Sequence, residues 1–315
     1  MTPAHSPSPT SNGPLGTPDP AGFEPRSATF ISSRTGWVLG TSACPGGTGR
    51  CDVIVRTRDG GRTWRAIPSP ATTPDRLAQI RFANEADGFV TGDQLWATHD
   101  GGATWRPIPG VKAAYQLAAA AGRVWIDSAQ DLLSAPVAGG RFVKEPASVV
   151  GSFALRGDRV VYAGDTGPQV FVGRHGGPFV ERTSPCADGA RPIVGLGEGH
   201  WLLVCAGDAG LGHEEKHAYR STDSGRSWAP VSDPPQLSGT DIFPTSDGDF
   251  VIDHQEVAAL RDGTWRVVLR TDGGVSEGGF ESAVLGYCIG GFAGSAAQTM
   301  ELTRDAGRTW QRVAF

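Results

Sequence analysis

The sequence predicts an all-β chain folded as a single seven-bladed β-propeller, and two periodic markers carry that prediction. The first is an eight-residue turn written four times: Thr57-Arg-Asp59-Gly-Gly61-Arg-Thr63-Trp64, Thr98-His-Asp100-Gly-Gly102-Ala-Thr104-Trp105, Ser221-Thr-Asp223-Ser-Gly225-Arg-Ser227-Trp228 and Thr303-Arg-Asp305-Ala-Gly307-Arg-Thr309-Trp310. Its aspartates lie 41, 123 and 82 residues apart, which is one, three and two units of 41, so three degenerate units separate the clear ones. Phe142, Phe179 and Trp265 supply the turn aromatic in those three. The second marker is an aromatic in an earlier strand of each unit, at Trp37, Phe89, Trp125, Tyr162, Trp201, Phe250 and Tyr287, and the two markers alternate seven times without a skip. A period of about 40 to 45 residues built from short strands is the mark of propeller blades.

Within the first unit four strands are expected: Thr29-Phe-Ile31, Gly36 to Gly40, Val53 to Thr57 and Trp64 to Ile67. Apolar and polar residues alternate with strand period, and Gly, Pro, Ser and Asp fill the gaps. The Ala-rich run Val111 to Ala121 falls where the third unit's first strand is due, so it reads as strand and not helix. The repeated turn joins the third and fourth strands. Its Asp is suited to accept backbone N–H bonds two residues on, Gly61, Gly102, Gly225 and Gly307 allow positive φ, and the Ser or Thr hydroxyl closes the turn. Asp59, Asp100, Asp223 and Asp305 are therefore expected to be structural groups, with Trp64, Trp105, Trp228 and Trp310 leaving the turn to pack between sheets.

These residues resemble the Asp-box, or BNR, repeat of sialidases, certain glycoside hydrolases and many non-enzymatic propellers. Coupled to Phe30-x-x-x-x-x-Gly-Trp-Val-x-Gly40, and to its echo from Phe82 to Gly92, the pattern is most similar to propellers typified by photosystem II assembly and stability factors. The resemblance spans roughly residues 28 to 315 and implies the fold. It assigns no activity, because one fold hosts many sites.

Seven units of about 41 residues fill 287 of 315 positions, enough to bury a substantial core. Residues 1–27 are rich in Pro, Ser, Thr and Gly and read as a disordered tail or spacer. No run of 18 apolar residues is present, so no transmembrane segment is expected, and no export signal precedes the tail. A net charge of −5 gives no blanket attraction for nucleic acid, and an arginine bias with only Lys112, Lys144 and Lys216 reads as genome composition, not a phosphate-binding surface. Cys44 and Cys51 can face each other across a hairpin, and Cys186 and Cys205 flank the first two strands of the fifth unit, so both pairs are expected as disulfides. Such bonds point to a secreted or surface-tethered protein. Cys288 is left as a core thiol.

Chemistry-bearing motifs are few. Gly195-Leu-Gly197-Glu-Gly199 leads into a strand and is a turn, not a dinucleotide fingerprint. His213-Glu214-Glu215-Lys216-His217 reads as a charged loop insertion, and Asp247-Gly-Asp249 with Asp253-His254 as strand-flanking turns, so no metal and no cofactor is expected. The Arg-Ile-Pro string that announces sialidases is missing; Arg191-Pro-Ile193 is permuted, and two of four tyrosines, Tyr162 and Tyr287, belong to the core pattern. Arg81, Asp241 and Glu281, on first strands or their flanks, are ligand-binding candidates that could line the axial channel, and His213, Glu214 and Glu215 are the ligand-binding candidates on the loop face. The longest loops, Thr41 to Cys51, Pro68 to Leu77 and Gly207 to Lys216, emerge at the end opposite the repeated turns. The expected function is non-catalytic binding of a protein or peptide on that loop face; glycan binding or cleavage at the channel mouth is the alternative. Three arginines, or two carboxylates about 5 to 10 Å apart, converging in one pocket would favour the glycosidase.

Overall fold

A computed structural model describes residues 22–44, 49–70, 78–111, 116–128, 131–146, 151–164, 169–186, 191–197, 200–210, 213–236, 241–245, 248–252, 256–271, 274–291 and 298–315. Among them every regular element longer than a turn is a strand, arranged in seven four-stranded antiparallel sheets. Each sheet uses one continuous piece of chain: 24–67, 79–108, 116–144, 151–183, 191–230, 241–270 and 275–312 form blades one to seven. The first strands contact one another in the order one to seven and back to one, which closes the ring. All seven marker aromatics sit in second strands and are at least 95% buried. Trp37 stacks on Phe82 of the next blade, with ring centroids 3.7 Å apart, showing what the period encodes.

Strand limits in blade one differ from the sequence expectation. The first strand is Glu24–Phe30, the second runs on to Ala43 and the third begins at Arg50. The Cys44–Cys51 disulfide clamps this hairpin, so Ser42 pairs with Cys51 and Ala43 with Arg50 where a loop was expected. The Gly207 to Lys216 stretch is likewise no loop insertion. It is a two-stranded ribbon, with Trp201–Gly210 paired to His213–Ser221 through a bulge between Ala206 and Ala209.

The four repeated turns share one hydrogen-bond scheme. Asp59 Oδ1 accepts from the amides of Arg62 and Thr63, both at 2.9 Å, and from Thr57 Oγ1 at 2.9 Å, while Thr63 Oγ1 donates to Oδ2 at 2.7 Å. Thr57 Oγ1 in turn accepts from Gly61 N. The carboxylate thus caps amides three and four residues on, not two, because the chain takes two consecutive left-handed steps at Gly60 and Gly61. Ser224–Gly225 and Ala306–Gly307 make the same steps. At Gly102 (φ 92°) a Cβ would lie 2.4 Å from Ile67 Cδ1, so glycine is required there both for the backbone and for the neighbouring blade. Asp223, bonded first by the Ser227 hydroxyl and amide, has its pKa lowered to about 2, the signature of a structural carboxylate.

The seams between inner strands carry a second repeated device. Side chains of Ser27, Gln79 and Gln116 accept from the amides of Ile80, Leu117 and Phe153, each on the next blade. Glu277 does the same for Ala28 across the closing seam between blades seven and one. Edge amides that would otherwise face the bore unpaired are satisfied by these acceptors. Among the described residues no strand is exchanged between the chain ends; around the closing seam Phe30, Val38 and Val55 pack with Tyr287, Ile289 and Leu302, and Phe23 meets Phe315 at 4.6 Å.

Candidate functional site

Two of the three channel candidates, Arg81 and Glu281, come together at the closing seam, and the structure adds Glu277 and Tyr287. Arg81 leaves the first strand of blade two, and Glu277 the first strand of blade seven, so the circular order brings them across blade one. Glu277 Oε1 is the hub. It accepts from Ser27 Oγ at 3.0 Å, Ala28 N at 3.1 Å, Tyr287 OH at 2.9 Å and Arg81 Nη1 at 3.3 Å. Arg81 Nη1 also donates to Ile80 O and Ala28 O. Burial lowers the Arg81 pKa, but Glu277, Tyr287 and Glu281 outweigh it and the net shift is upward, so the guanidinium is permanently charged.

Glu281 follows the first strand of blade seven, on the repeated-turn side. Its side chain is open to solvent yet ringed by protein, and that crowding pushes its pKa up to about 7, against the pull of Arg81 and the Phe30 amide. The phenol of Tyr287 is raised well above its ordinary value, first by burial and then by the Glu277 charge. A nucleophilic tyrosine needs the opposite shift. The cluster contains one arginine, not three, and its donors and acceptors already satisfy one another. Asp241 opens the first strand of blade six, but its side chain lies outside the described residues, as do Asp247, Asp253 and His254.

On the opposite end the charged motif is also internally paired. Lys216 is fully buried beside Glu214 Oε2 at 3.5 Å and Pro235 O at 3.4 Å. His217 bonds Asp233 at 3.2 Å and Glu215 at 3.1 Å, and Asp233 is the first cause of its raised pKa. The His213 side chain is outside the described residues. Among the described residues no group of three or more His, Cys, Asp or Glu is placed to hold a metal ion. Both expected disulfides form, Cys44–Cys51 and Cys186–Cys205, and both lie toward this loop face. Cys288 is buried, with its thiol pushed up to about 12 by burial. No described helix is long and apolar enough to cross a membrane.

Sequence reasoning missed the arginines that bridge blades. Arg56 lies over Trp37 at 4.7 Å and pairs with Glu85 of blade two at 3.2 Å; Arg159 reaches Ser224 Oγ at 2.7 Å; Arg261 donates to Ala306 O and Arg304 to Gly60 O. The arginine bias is therefore put to structural use.

No protein-family model matches the chain, and no curated protein matches it. Solved propellers do resemble it. The structure of YCF48 bound to D1 peptide matches with a TM-score of 0.60 at 14% identity over 93% of this chain and 94% of that one. A catalytically inactive virginiamycin B lyase from Staphylococcus aureus with quinupristin gives 0.62 at 12% identity, over 89% and 95%. The β-propeller domain of the trilobed protease from Pyrococcus furiosus, which has an open velcro topology, gives 0.65 at 8%, over 93% and 96%. At these identities the likeness shows the fold alone.

Proposed function

We propose that this chain is a non-catalytic, extracytoplasmic binding propeller of the Asp-box type that recognises a protein or peptide partner on its loop face. The observation that carries the reading is the likeness over nearly the whole of both chains to a propeller that holds a peptide. Two features support it. The axial groups that resemble catalytic ones, Tyr287, Glu277 and Arg81, are spent on one another and on the closing seam. Disulfides stiffen the Cys44–Cys51 hairpin and the base of the Gly207 to Lys216 ribbon, and such bonds persist in oxidising compartments. Residues upstream of the first strand then serve as a spacer.

The test is selection from a random peptide library on the folded chain, followed by hydrogen-exchange mapping of the selected binders. Protection of the Cys44–Cys51 hairpin and of the 207–216 ribbon is the expected result. Protection confined to the repeated turns, or turnover of sialosides or polysaccharides that one axial carboxylate substitution abolishes, would overturn it.

A further inference from the structure

A groove of about 490 Å3 opens beside the repeated turn of blade one, lined by Arg56, Arg58, Thr63, Arg65, Ala66 and Ile67. Three guanidinium-bearing residues thus meet in one concavity of a protein whose net charge is −5. Arg56 lies over Trp37, with only 12% of its side chain exposed. Its Nε is buried without a partner. Arg58 and Arg65 are exposed, and neither has an acidic partner among the described residues. Burial and then the nearby Arg58 charge lower the Arg56 pKa even with Glu85 alongside, so positive charge is crowded there.

The fold does not demand Arg58 and Arg65, and the repeat itself is the control. At the three equivalent positions blade two has Ala97, His99 and Arg106, blade five has Arg220, Thr222 and Ala229, and blade seven has Leu302, Arg304 and Gln311. All four turns close through the same hydrogen bonds. Among these four, arginine occupies all three places only in blade one.

We infer that the blade-one groove binds a compact ligand bearing two or more phosphate or sulfate groups. Guanidinium forks pair such oxyanions bidentately. The polar side chains of the lining are the three arginines and Thr63, and no acidic residue is among them. This site is independent of the loop-face reading and lies at the other end of the blade, so the arginine bias is not only genomic.

The experiment is calorimetric titration of the full chain with pyrophosphate at low ionic strength, with inorganic sulfate as competitor. The double variant R58T/R65A installs residues already present in blade five, so its melting temperature should match the parent while affinity for pyrophosphate falls about tenfold or more, since hydrogen bonds to charged groups are of that size. R226A, in the blade-five turn, should leave binding unchanged. Undiminished affinity in the double variant, or no pyrophosphate binding by the parent, would overturn the inference. Tighter binding of hexaglutamate than of pyrophosphate would also overturn it, by assigning the groove to acidic peptide.

Discussion

Glu277→Ala strikes the hub of the closing seam. It removes the acceptor of four hydrogen bonds, leaves the fully buried amide of Ala28 without its partner and strips Arg81 of its carboxylate. Breaking a buried ion pair costs about 3 to 5 kcal/mol, and each bond to a charged group about 1.5 to 3. Here the two side chains keep 16% and 23% of their surface, so solvent recovers part of the loss and about 3 kcal/mol is expected. At about 2 °C per kcal/mol for a chain of this size, the melting temperature should fall about 6 °C. Gln116→Ala, which removes the neutral equivalent between blades three and four, should cost about 1 kcal/mol. Thermal melts read by tryptophan fluorescence, with hydrogen exchange of 24–30 and 275–280, compare the two. Equal losses for both variants, or exchange in Glu277→Ala that is no faster at the closing seam than elsewhere, would refute the assignment of Glu277 as its latch.

Further measurements probe the turns, the bore and the thiols. Asp100→Ala should destabilise by about 1 kcal/mol in denaturant titration, the low end for a lost acceptor because this turn is exposed and water re-bonds its amides. Asp223 and Asp305, held at about 2, add stability that is present above the unfolded carboxylate pKa of about 4 and is lost as pH falls through 2. Glu281 acts with the other sign: its raised pKa favours the folded state below about 4, and that contribution is lost as pH rises through about 7. Glu281→Gln should therefore flatten the decline in stability between pH 5 and 7, and an unchanged slope would remove the bore as its source. Peptide mapping without reduction should recover Cys44 linked to Cys51 and Cys186 to Cys205, with Cys288 alkylated only after unfolding; rapid alkylation of the native protein would contradict its burial.

The blades were legible because their markers repeat with one residue chemistry: an aromatic that must be buried and an aspartate that must cap a turn. The axial acceptors were not. Ser27, Gln79, Gln116 and Glu277 share a strand position and a hydrogen-bonding role but no side-chain type, so no single-letter pattern exposes them. The available signal was positional, since each directly precedes a buried residue: Ala28, Ile80, Leu117 and Gly278 in turn. Arg81 and Glu281 could be placed on the channel by counting strands, whereas Tyr287 was assigned wholly to the core because its ring is buried while its hydroxyl reaches Glu277. The 207–216 ribbon read as a loop because its charges hide their partners; Asp233 and Pro235 lie some twenty residues away in sequence.

The charge at the closing seam has a reason in chain statistics. Adjacent blades are tethered by short connections, such as the eleven residues between Ile67 and Gln79, and the entropy of closing a loop grows as (3/2)RT ln n, about 2 kcal/mol at that length. Blades one and seven are adjacent in space but 207 residues lie between Ile67 and Val275, which raises the same cost to about 5 kcal/mol. A propeller that exchanges a strand offsets this difference with a ladder of backbone bonds, but every sheet here is continuous in sequence. Side chains supply the difference of about 3 kcal/mol, through the Glu277 hub together with the apolar contacts of Phe30, Val38 and Val55 with Tyr287, Ile289 and Leu302. Three seams with short tethers use neutral Ser or Gln in that position, and the one seam without a tether uses a carboxylate against a partly buried arginine. Groups that would look catalytic in a sequence list are thus explained by where the ring has to shut.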